Sequence, residues 1–190
     1  MRPDSGGAMR VVTLLTLLLS ASACTAESRP RVFIAGDSTA SHYETKHTPQ
    51  SGWGQALAFY LHNDTVINNR ASSGRSTKSF QSEGRWEDLV DDLRAGDVVL
   101  ISFGHNDARD DSPERFTQPD GEYRENLTRF ARDVLARDAH PVILSPAARR
   151  LWEGPVMVET HGLYALNAKS AARASGASFI DLASDSLAYF

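Results

Sequence analysis

The chain has 190 residues, of which 41% are hydrophobic and 23% are charged, and it contains one cysteine. This composition is ordinary for a globular protein and excludes a disordered chain, a collagen-like fibre and a disulfide scaffold. A net charge of −4 gives no overall positive field, so we expect no nucleic-acid partner. The length predicts a single domain.

The first residues have the pattern of an export signal. Arg2 and Arg10 precede the apolar run 11–19, and small residues follow that run. As a helix the run is about 14 Å long, too short for a bilayer core of about 30 Å. We therefore expect residues 1–23 to direct export to the periplasm or the cell exterior. Cys24 leaves two interpretations open, a lipid anchor on this residue or simple cleavage without lipid.

Short apolar segments alternate with helical patterns along the rest of the chain. We predict five strands, at 31–35, 65–67, 97–103, 141–144 and 178–182. Apolar residues at helical spacing predict four helices, at 53–61, 86–93, 123–134 and 160–175. Apolar strands that alternate with helices favour an α/β fold, with a parallel sheet between two layers of helices.

Polar, glycine-containing turns follow three of the predicted strands. The segment 36–38 (GDS) follows the first strand, Gly74 follows the second, and 104–107 (GHND) follows the third. In a parallel sheet these turns meet at one edge, where ligands bind. A serine hydroxyl, a glycine amide and a carboxamide are the parts of an acyl-transfer site. We expect Ser38, at the N-terminus of a helix, to be the nucleophile, with Gly74 and Asn106 as oxyanion donors.

These turns resemble the first three motif blocks of the SGNH (GDSL) hydrolase family. The segments 71–80 and 83–86, and Thr39 directly after the first block, are similar to the rhamnogalacturonan acetylesterase branch. The resemblance covers about 32–182 of the chain. It implies a three-layer α/β/α sandwich with a flavodoxin-like, five-stranded parallel sheet, in an SGNH hydrolase domain over residues 31–190.

The same resemblance implies a function. Ser38 is then the nucleophile, and Gly74 and Asn106 complete the oxyanion hole. The substrate is acetylated plant cell-wall polysaccharide or a small ester, and no cofactor is needed. We expect a monomer that meets a membrane only through a lipid on Cys24.

One block of the family pattern is absent from the sequence. The family places its catalytic base in an Asp-x-x-His block on a helix after the fifth strand, and no Asp of this chain has a His three residues later. The nearest pair, Asp138 and His140, has the wrong spacing. We therefore expect the last helix to be missing, apolar surface to be exposed and the fold to be marginal. Without a base Ser38 is a poor nucleophile, so we expect a nearly inactive enzyme.

Three further side chains are candidates for substrate contact. His105 either acts as the base or shapes its turn and positions Asn106, and the second role is favoured because the resemblance implies a structural or substrate-facing role. Arg75 either binds the carboxylate of an acidic sugar or is a solvated loop residue. His161 either touches substrate or begins a surface helix. His105 and Asp107 lack a third partner for a metal site, so we expect no metal.

We expect Asp37 to fix its own turn, and the loops 115–121 and 145–155 to line the cleft. The sequence therefore indicates an exported serine esterase that deacetylates rhamnogalacturonan or a pectin-like polysaccharide. Two alternatives stay open. One is a lipase or general carboxylesterase, and the other is a carbohydrate-binding pseudoenzyme without catalysis.

Overall fold

The structure is a computed structural model that describes residue 29 and residues 31–44 and 49–189. The predicted export segment 1–23 and Cys24 lie outside these ranges. Within them, no helix combines the length and the apolar character needed to cross a bilayer.

A parallel sheet forms the centre of the fold. The strands are β1 (Arg31–Gly36), β2 (Val66–Asn69), β3 (Val98–Ser102), β4 (His140–Leu144), β5 (Trp152–Glu153), β6 (Val156–Met157) and β7 (Ser178–Ile180). Five of them pair in the order β2-β1-β3-β4-β7, and every pair is parallel. After β1 the chain continues to β2 at one edge of the sheet, and after β3 it continues through β4 to β7 at the other edge. Ligand clefts of α/β sheets form at such a switch point, and the predicted flavodoxin-like sheet is confirmed.

Helices cover both faces of this sheet. They are α1 (Trp53–Ala56), α2 (Thr77–Ser82), α3 (Arg85–Asp91), α4 (Arg124–Leu135), α5 (Gly162–Ser175) and α6 (Leu182–Tyr189). The helices α2 to α5 pack on one another and on β1 and β4. On the opposite face α1 packs closely, since a Cβ added to Gly54 would lie 3.0 Å from Ile34 Cδ1.

An aromatic cluster under α2 to α4 holds the end of β3 in place. Phe103, which directly follows β3, contacts Phe80 of α2 edge to face, with ring centroids 5.2 Å apart. Trp86 stacks on Phe130 at 4.0 Å, and the Tyr123 hydroxyl donates to the Phe103 carbonyl at 2.9 Å. All five residues are buried. The aromatic packing therefore fixes the position of Phe103, from which the turn after β3 begins.

The other face of the sheet is covered less completely. Ile34 and Leu144 on this face are buried, but Val32, Val98, Leu100 and Val142 are only partly buried. Phe59, which follows α1, is 87% exposed. Parallel sheets are normally buried on both faces, so this surface agrees with the expectation of exposed apolar area.

Two short helices, α2 and α6, are absent from the predicted elements. The helix α2 is polar and lacks a clear apolar repeat. It begins with a capping box in which Ser76 and Ser79 each accept a hydrogen bond from the backbone N–H of the other. The helix α6 lies where the sequence analysis predicts no helix, and it contains no histidine.

Other predicted elements differ in extent. The predicted helix 53–61 continues beyond α1 only as the short 3-10 turn Leu57–Phe59. The predicted loop 145–155 contains β5, which pairs with β6 in an antiparallel hairpin. The predicted fifth strand 178–182 is shorter in the structure: β7 ends at Ile180, and α6 begins at Leu182.

Candidate active site

Ser38 lies in the turn that follows β1. Asp37 is buried, and its Oδ1 accepts hydrogen bonds from the Thr39 backbone N–H at 2.9 Å and from the Thr39 hydroxyl at 2.8 Å. The Tyr43 hydroxyl donates to the Ser38 carbonyl at 2.8 Å. The predicted role of Asp37 in fixing this turn is confirmed.

The predicted helix N-terminus at Ser38 is wrong. Residues 38–40 form a turn, and α1 begins only at Trp53. In a helix the Thr39 carbonyl would accept from the Tyr43 N–H, but it accepts from the Trp53 N–H at 2.8 Å. The Tyr43 N–H donates instead to Gln55 Oε1 at 3.1 Å. The Thr39 carbonyl and the Tyr43 N–H therefore bond to residues of α1 rather than to each other, as they would in a helix.

Gly74 lies in the turn after β2, and this turn lies close in space to the end of β1. The Ser72 N–H donates to the Gly36 carbonyl at 2.9 Å. Gly74 has a φ of +79°, a conformation that side chains with a Cβ disfavour. Neither the Gly74 N–H nor the Ser38 N–H donates to another described residue. Both groups are therefore free to bind an oxyanion.

Asn106 connects the turn after β3 to the turn that contains Gly74. Its side chain is buried, and Nδ2 donates to the Arg75 carbonyl at 3.1 Å. A carboxamide carries two N–H groups, so one remains for an oxyanion. The structure thus brings Ser38, Gly74 and Asn106 to one edge of the sheet, as predicted.

An open cavity adjoins the turn of Ser38. Its volume is about 440 Å³. The side chains that line it are mostly polar: Ser38, Thr39, Tyr43, Gln50, Ser51 and Ser73. The Ser38 Oγ has no hydrogen-bond partner in the part of the chain that the structure describes. The hydroxyl is therefore available to a substrate but contacts no base there.

Asp107 anchors the turn of Asn106 and was not identified as a positioning residue from the sequence. Its carboxylate accepts from the Thr77 backbone N–H at 3.1 Å, the Thr77 hydroxyl at 2.6 Å and the Thr117 hydroxyl at 2.9 Å. Complete burial raises the pKa of Asp107 to about 7, against the opposing effect of these hydrogen bonds. The buried carboxyl joins the turn to the start of α2. Its place beside Asn106 in the GHND block is the one sequence signal for this role.

His105 is held by the protein itself. Its Nε2 donates to the Ala147 carbonyl at 3.0 Å, and its own carbonyl accepts from Arg149 Nη2 at 3.0 Å. Burial lowers the pKa of His105, so the ring is neutral. These contacts agree with the favoured role of His105 in shaping the turn.

His161 packs on His105 with ring centroids 4.3 Å apart. The Thr160 hydroxyl accepts from the Arg149 N–H at 3.1 Å and lies 3.0 Å from His161 Nδ1. The hydroxyl can donate to Nδ1 or accept from it, and Nε2 is the other nitrogen of the ring. That buried Nε2 has no partner among the described residues, and burial lowers the pKa of His161 to about 3. His161 thus presents a neutral ring with an unpaired nitrogen.

Arg75 already has partners within the protein. Its Nε lies 3.0 Å from Glu83 Oε2, and its Nη1 donates to the Ser73 carbonyl at 2.9 Å. Contact of Arg75 with a substrate carboxylate stays a prediction, and it would compete with this ion pair. No three His, Cys, Asp or Glu side chains in the described ranges are grouped as metal ligands.

Comparisons with known proteins bear on this arrangement. Residues 34–189 match the GDSL-like Lipase/Acylhydrolase family. The chain is 36% identical to a probable rhamnogalacturonan acetylesterase of Bacillus subtilis, YesY, over 84% of this chain and 73% of that protein. It is 35% identical to the rhamnogalacturonan acetylesterase RhgT of the same organism, over 80% of this chain and 64% of that protein.

A solved structure has the same fold. The crystal structure of the Bacillus subtilis protein YxiM superimposes with a TM-score of 0.75 at 25% identity, over 86% of this chain and 46% of that chain. The match to the family extends from β1 to α6 and includes all three polar turns. The chain therefore belongs to the GDSL-like lipase/acylhydrolase family.

Proposed function

We propose that this protein is a serine esterase that removes acetyl groups from a polysaccharide. The observation that carries the proposal is the arrangement of Ser38 with three unengaged donors, the N–H groups of Ser38 and Gly74 and one N–H of Asn106. The relatives named as rhamnogalacturonan acetylesterases support an acetylated, pectin-like substrate.

The reaction follows from these groups. Ser38 Oγ attacks the acetyl carbonyl, and its proton passes through water to the sugar oxygen that later leaves. The three N–H donors bind the carbonyl oxygen, which becomes negative. Collapse of this intermediate breaks the bond to the sugar oxygen, which leaves as a protonated hydroxyl. Water then attacks the acetyl-serine and releases acetate. Each oxyanion donor contributes about 3–4 kcal/mol to transition-state stabilisation.

The rate depends on what accepts the Ser38 proton. No base contacts Ser38 Oγ among the residues that the structure describes. We therefore propose that Ser38 attacks slowly in this protein, because its proton passes to water rather than to a base.

Acetate release from acetylated pectin tests the proposal. We expect the Ser38→Ala variant to lose this release, because it removes the nucleophile. Ser170→Ala is a matched control, since Ser170 is exposed on α5 and donates only to the Leu166 carbonyl. Equal rates for the wild type and Ser38→Ala would contradict the proposal.

Two other functions have distinct signatures. The polar lining of the cavity beside Ser38 favours a sugar over the long acyl chain of a lipase substrate. Faster hydrolysis of octanoate than of acetate esters would support the lipase. The absence of a described base at Ser38 favours the pseudoenzyme, which would bind acetylated oligosaccharide without releasing acetate.

Substrate contacts by His105, Arg75 and His161 are part of the proposal. The unpaired Nε2 of His161 gives the strongest support, because a buried donor or acceptor without a partner costs about 1–3 kcal/mol. A sugar hydroxyl, which both donates and accepts, would satisfy it. The donors of His105 and Arg75 already have protein partners, so they contribute less.

Export and a monomeric state also belong to the proposal. The pattern in residues 1–23 supports export. Mass spectrometry of the mature N-terminus distinguishes an acylated Cys24 from an unmodified one, and an uncut N-terminus would contradict export. Light scattering of the purified protein tests the monomer.

A further inference from the structure

The loop between β3 and α4 places a guanidinium beside the predicted oxyanion hole. A Cβ added to Gly74 would lie 3.7 Å from Arg115 Nη1 and 3.9 Å from Arg115 Cζ. The Arg115 side chain is 36% exposed. It therefore reaches the turn of Gly74 and still faces solvent at the substrate edge of the sheet.

Three contacts hold this loop in position. The Thr117 N–H donates to the Asp107 carbonyl at 3.1 Å, and the Thr117 hydroxyl donates to the Asp107 carboxylate at 2.9 Å. Lys78 Nζ donates to the Pro113 carbonyl at 3.1 Å. These bonds lie on both sides of Arg115, so its backbone is placed before any ligand binds.

Neighbouring arginines are engaged by the protein. Arg75 is paired with Glu83, and Arg109 makes a bidentate pair with Asp111 at 2.8 and 2.9 Å. Arg149 donates to the His105 carbonyl.

Arg115 differs from these arginines because its guanidinium donates no hydrogen bond to a described residue. Its nearest acid is the adjacent Glu114, with Nε 3.3 Å from Oε1. The Glu114 side chain is 64% exposed, and ion pairs at such a surface are weak. The guanidinium of Arg115 is therefore available to an anionic ligand.

We infer that Arg115 binds a carboxylate of the substrate close to the acetyl ester that Ser38 attacks. This inference rests on the proposed function and adds a specificity determinant to it. A guanidinium presents a planar set of donors that matches a carboxylate in two parallel hydrogen bonds. The ligand is thus an acetylated oligosaccharide that carries uronic acid carboxylates, and neutral acetylated sugars bind less tightly.

Calorimetric titration tests this inference with two ligands that differ only in charge. They are an acetylated oligogalacturonide and the same compound with its carboxylates methyl-esterified. The protein is the full chain with Ser38→Ala, so that neither ligand is hydrolysed. We expect Arg115→Ala to weaken binding of the acidic ligand about tenfold and to leave binding of the methyl ester unchanged.

Arg109→Ala is the matched control, because Arg109 lies in the same loop and its charge is already paired. It should bind both ligands like the parent. Arg115→Gln keeps most of the side chain, and equal thermal unfolding temperatures show that the variants are folded.

Equal weakening of both ligands by Arg115→Ala, no weakening of either, or no binding of the acidic ligand by the parent would overturn the inference. The proposed function is judged separately, by acetate release from the methyl-esterified ligand with Ser38 present. Charge-selective binding through Arg115 without acetate release would refute the esterase and leave this inference standing.

Discussion

Asn106 Nδ2 donates a hydrogen bond to the carbonyl oxygen of Arg75 at 3.1 Å, across 31 positions of the sequence. The bond joins the turn after β3 to the turn after β2, directly beside Gly74. The bond therefore fixes the positions of two of the predicted oxyanion donors, Gly74 and Asn106, relative to each other. Asp107 extends the same unit to α2 and to Thr117.

Replacement of Asn106 by alanine should slow the reaction. We expect kcat for acetate release to fall about 10²- to 10³-fold, because the variant loses one oxyanion donor. Asn63→Ala is the control, since Asn63 is exposed in the turn before β2. A change in kcat below about threefold, judged against the lost 3–4 kcal/mol of one donor, would exclude Asn106 from the oxyanion hole.

The buried carboxyl of Asp107 should make stability depend on pH. Its pKa is about 7 in the folded protein, whereas an unfolded Asp titrates near pH 4. The folded state therefore holds a proton that the unfolded state releases, so stability falls as the pH rises from about 4 to 7 and levels off above 7. We expect the free energy of unfolding to drop by about 2–3 kcal/mol between pH 5 and 8.

Urea unfolding at pH 5, 6, 7 and 8 measures this slope. Asp107→Asn keeps an acceptor for Thr77 and Thr117 but cannot titrate, so its stability should change less over the same range. Identical slopes for the wild type and the variant would show that Asp107 is not the titrating group. Asp111→Asn is the control, because Asp111 is exposed and its pKa is lowered by its hydrogen bonds to Arg109.

The unpaired Nε2 of His161 should act in substrate binding. His161→Phe keeps a ring against His105 but removes this nitrogen. We expect KM for an acetylated oligosaccharide to rise about fivefold to tenfold, which corresponds to one hydrogen bond. The kcat for p-nitrophenyl acetate, which lacks the sugar, should not change. A similar loss of kcat with both substrates would show that His161 serves the reacting atoms instead.

Phe80 should be needed for stability because it packs α2 against the end of β3. It is fully buried and contacts Phe103 edge to face. Phe80→Ala should lower the free energy of unfolding by about 3–5 kcal/mol. Phe59→Ala makes the same chemical change at a position that is 87% exposed, so it should cost less than about 0.5 kcal/mol. Urea unfolding of both variants checks the difference, and equal losses would refute the packing role.

Local sequence patterns were sufficient for most of the architecture. Apolar runs predicted all five strands of the main sheet, since a strand buried on both faces must be apolar along its length. Gly36, Gly74 and Gly104 marked the ends of three strands. Apolar periodicity does not predict a helix without an apolar repeat, and α2 is such a helix. It is stabilised by the capping pair Ser76 and Ser79 and by the hydrogen bond that the Thr77 N–H donates to Asp107.

The amino-acid sequence by itself determined the sheet, its polar turns and the candidate nucleophile, because these depend on hydrophobicity and turn chemistry over a few residues. Only the tertiary structure decided which charged side chains are engaged in hydrogen bonds. Arg75 donates hydrogen bonds to Glu83, whereas among the described residues the Arg115 guanidinium makes only an ion pair with the adjacent Glu114. Asp107 anchors Thr117 through its carboxyl group. His161 lies 56 positions beyond His105, yet the two rings pack together. Such partnerships arise when packing of the helices brings distant turns to one edge of the sheet, and no local pattern encodes them.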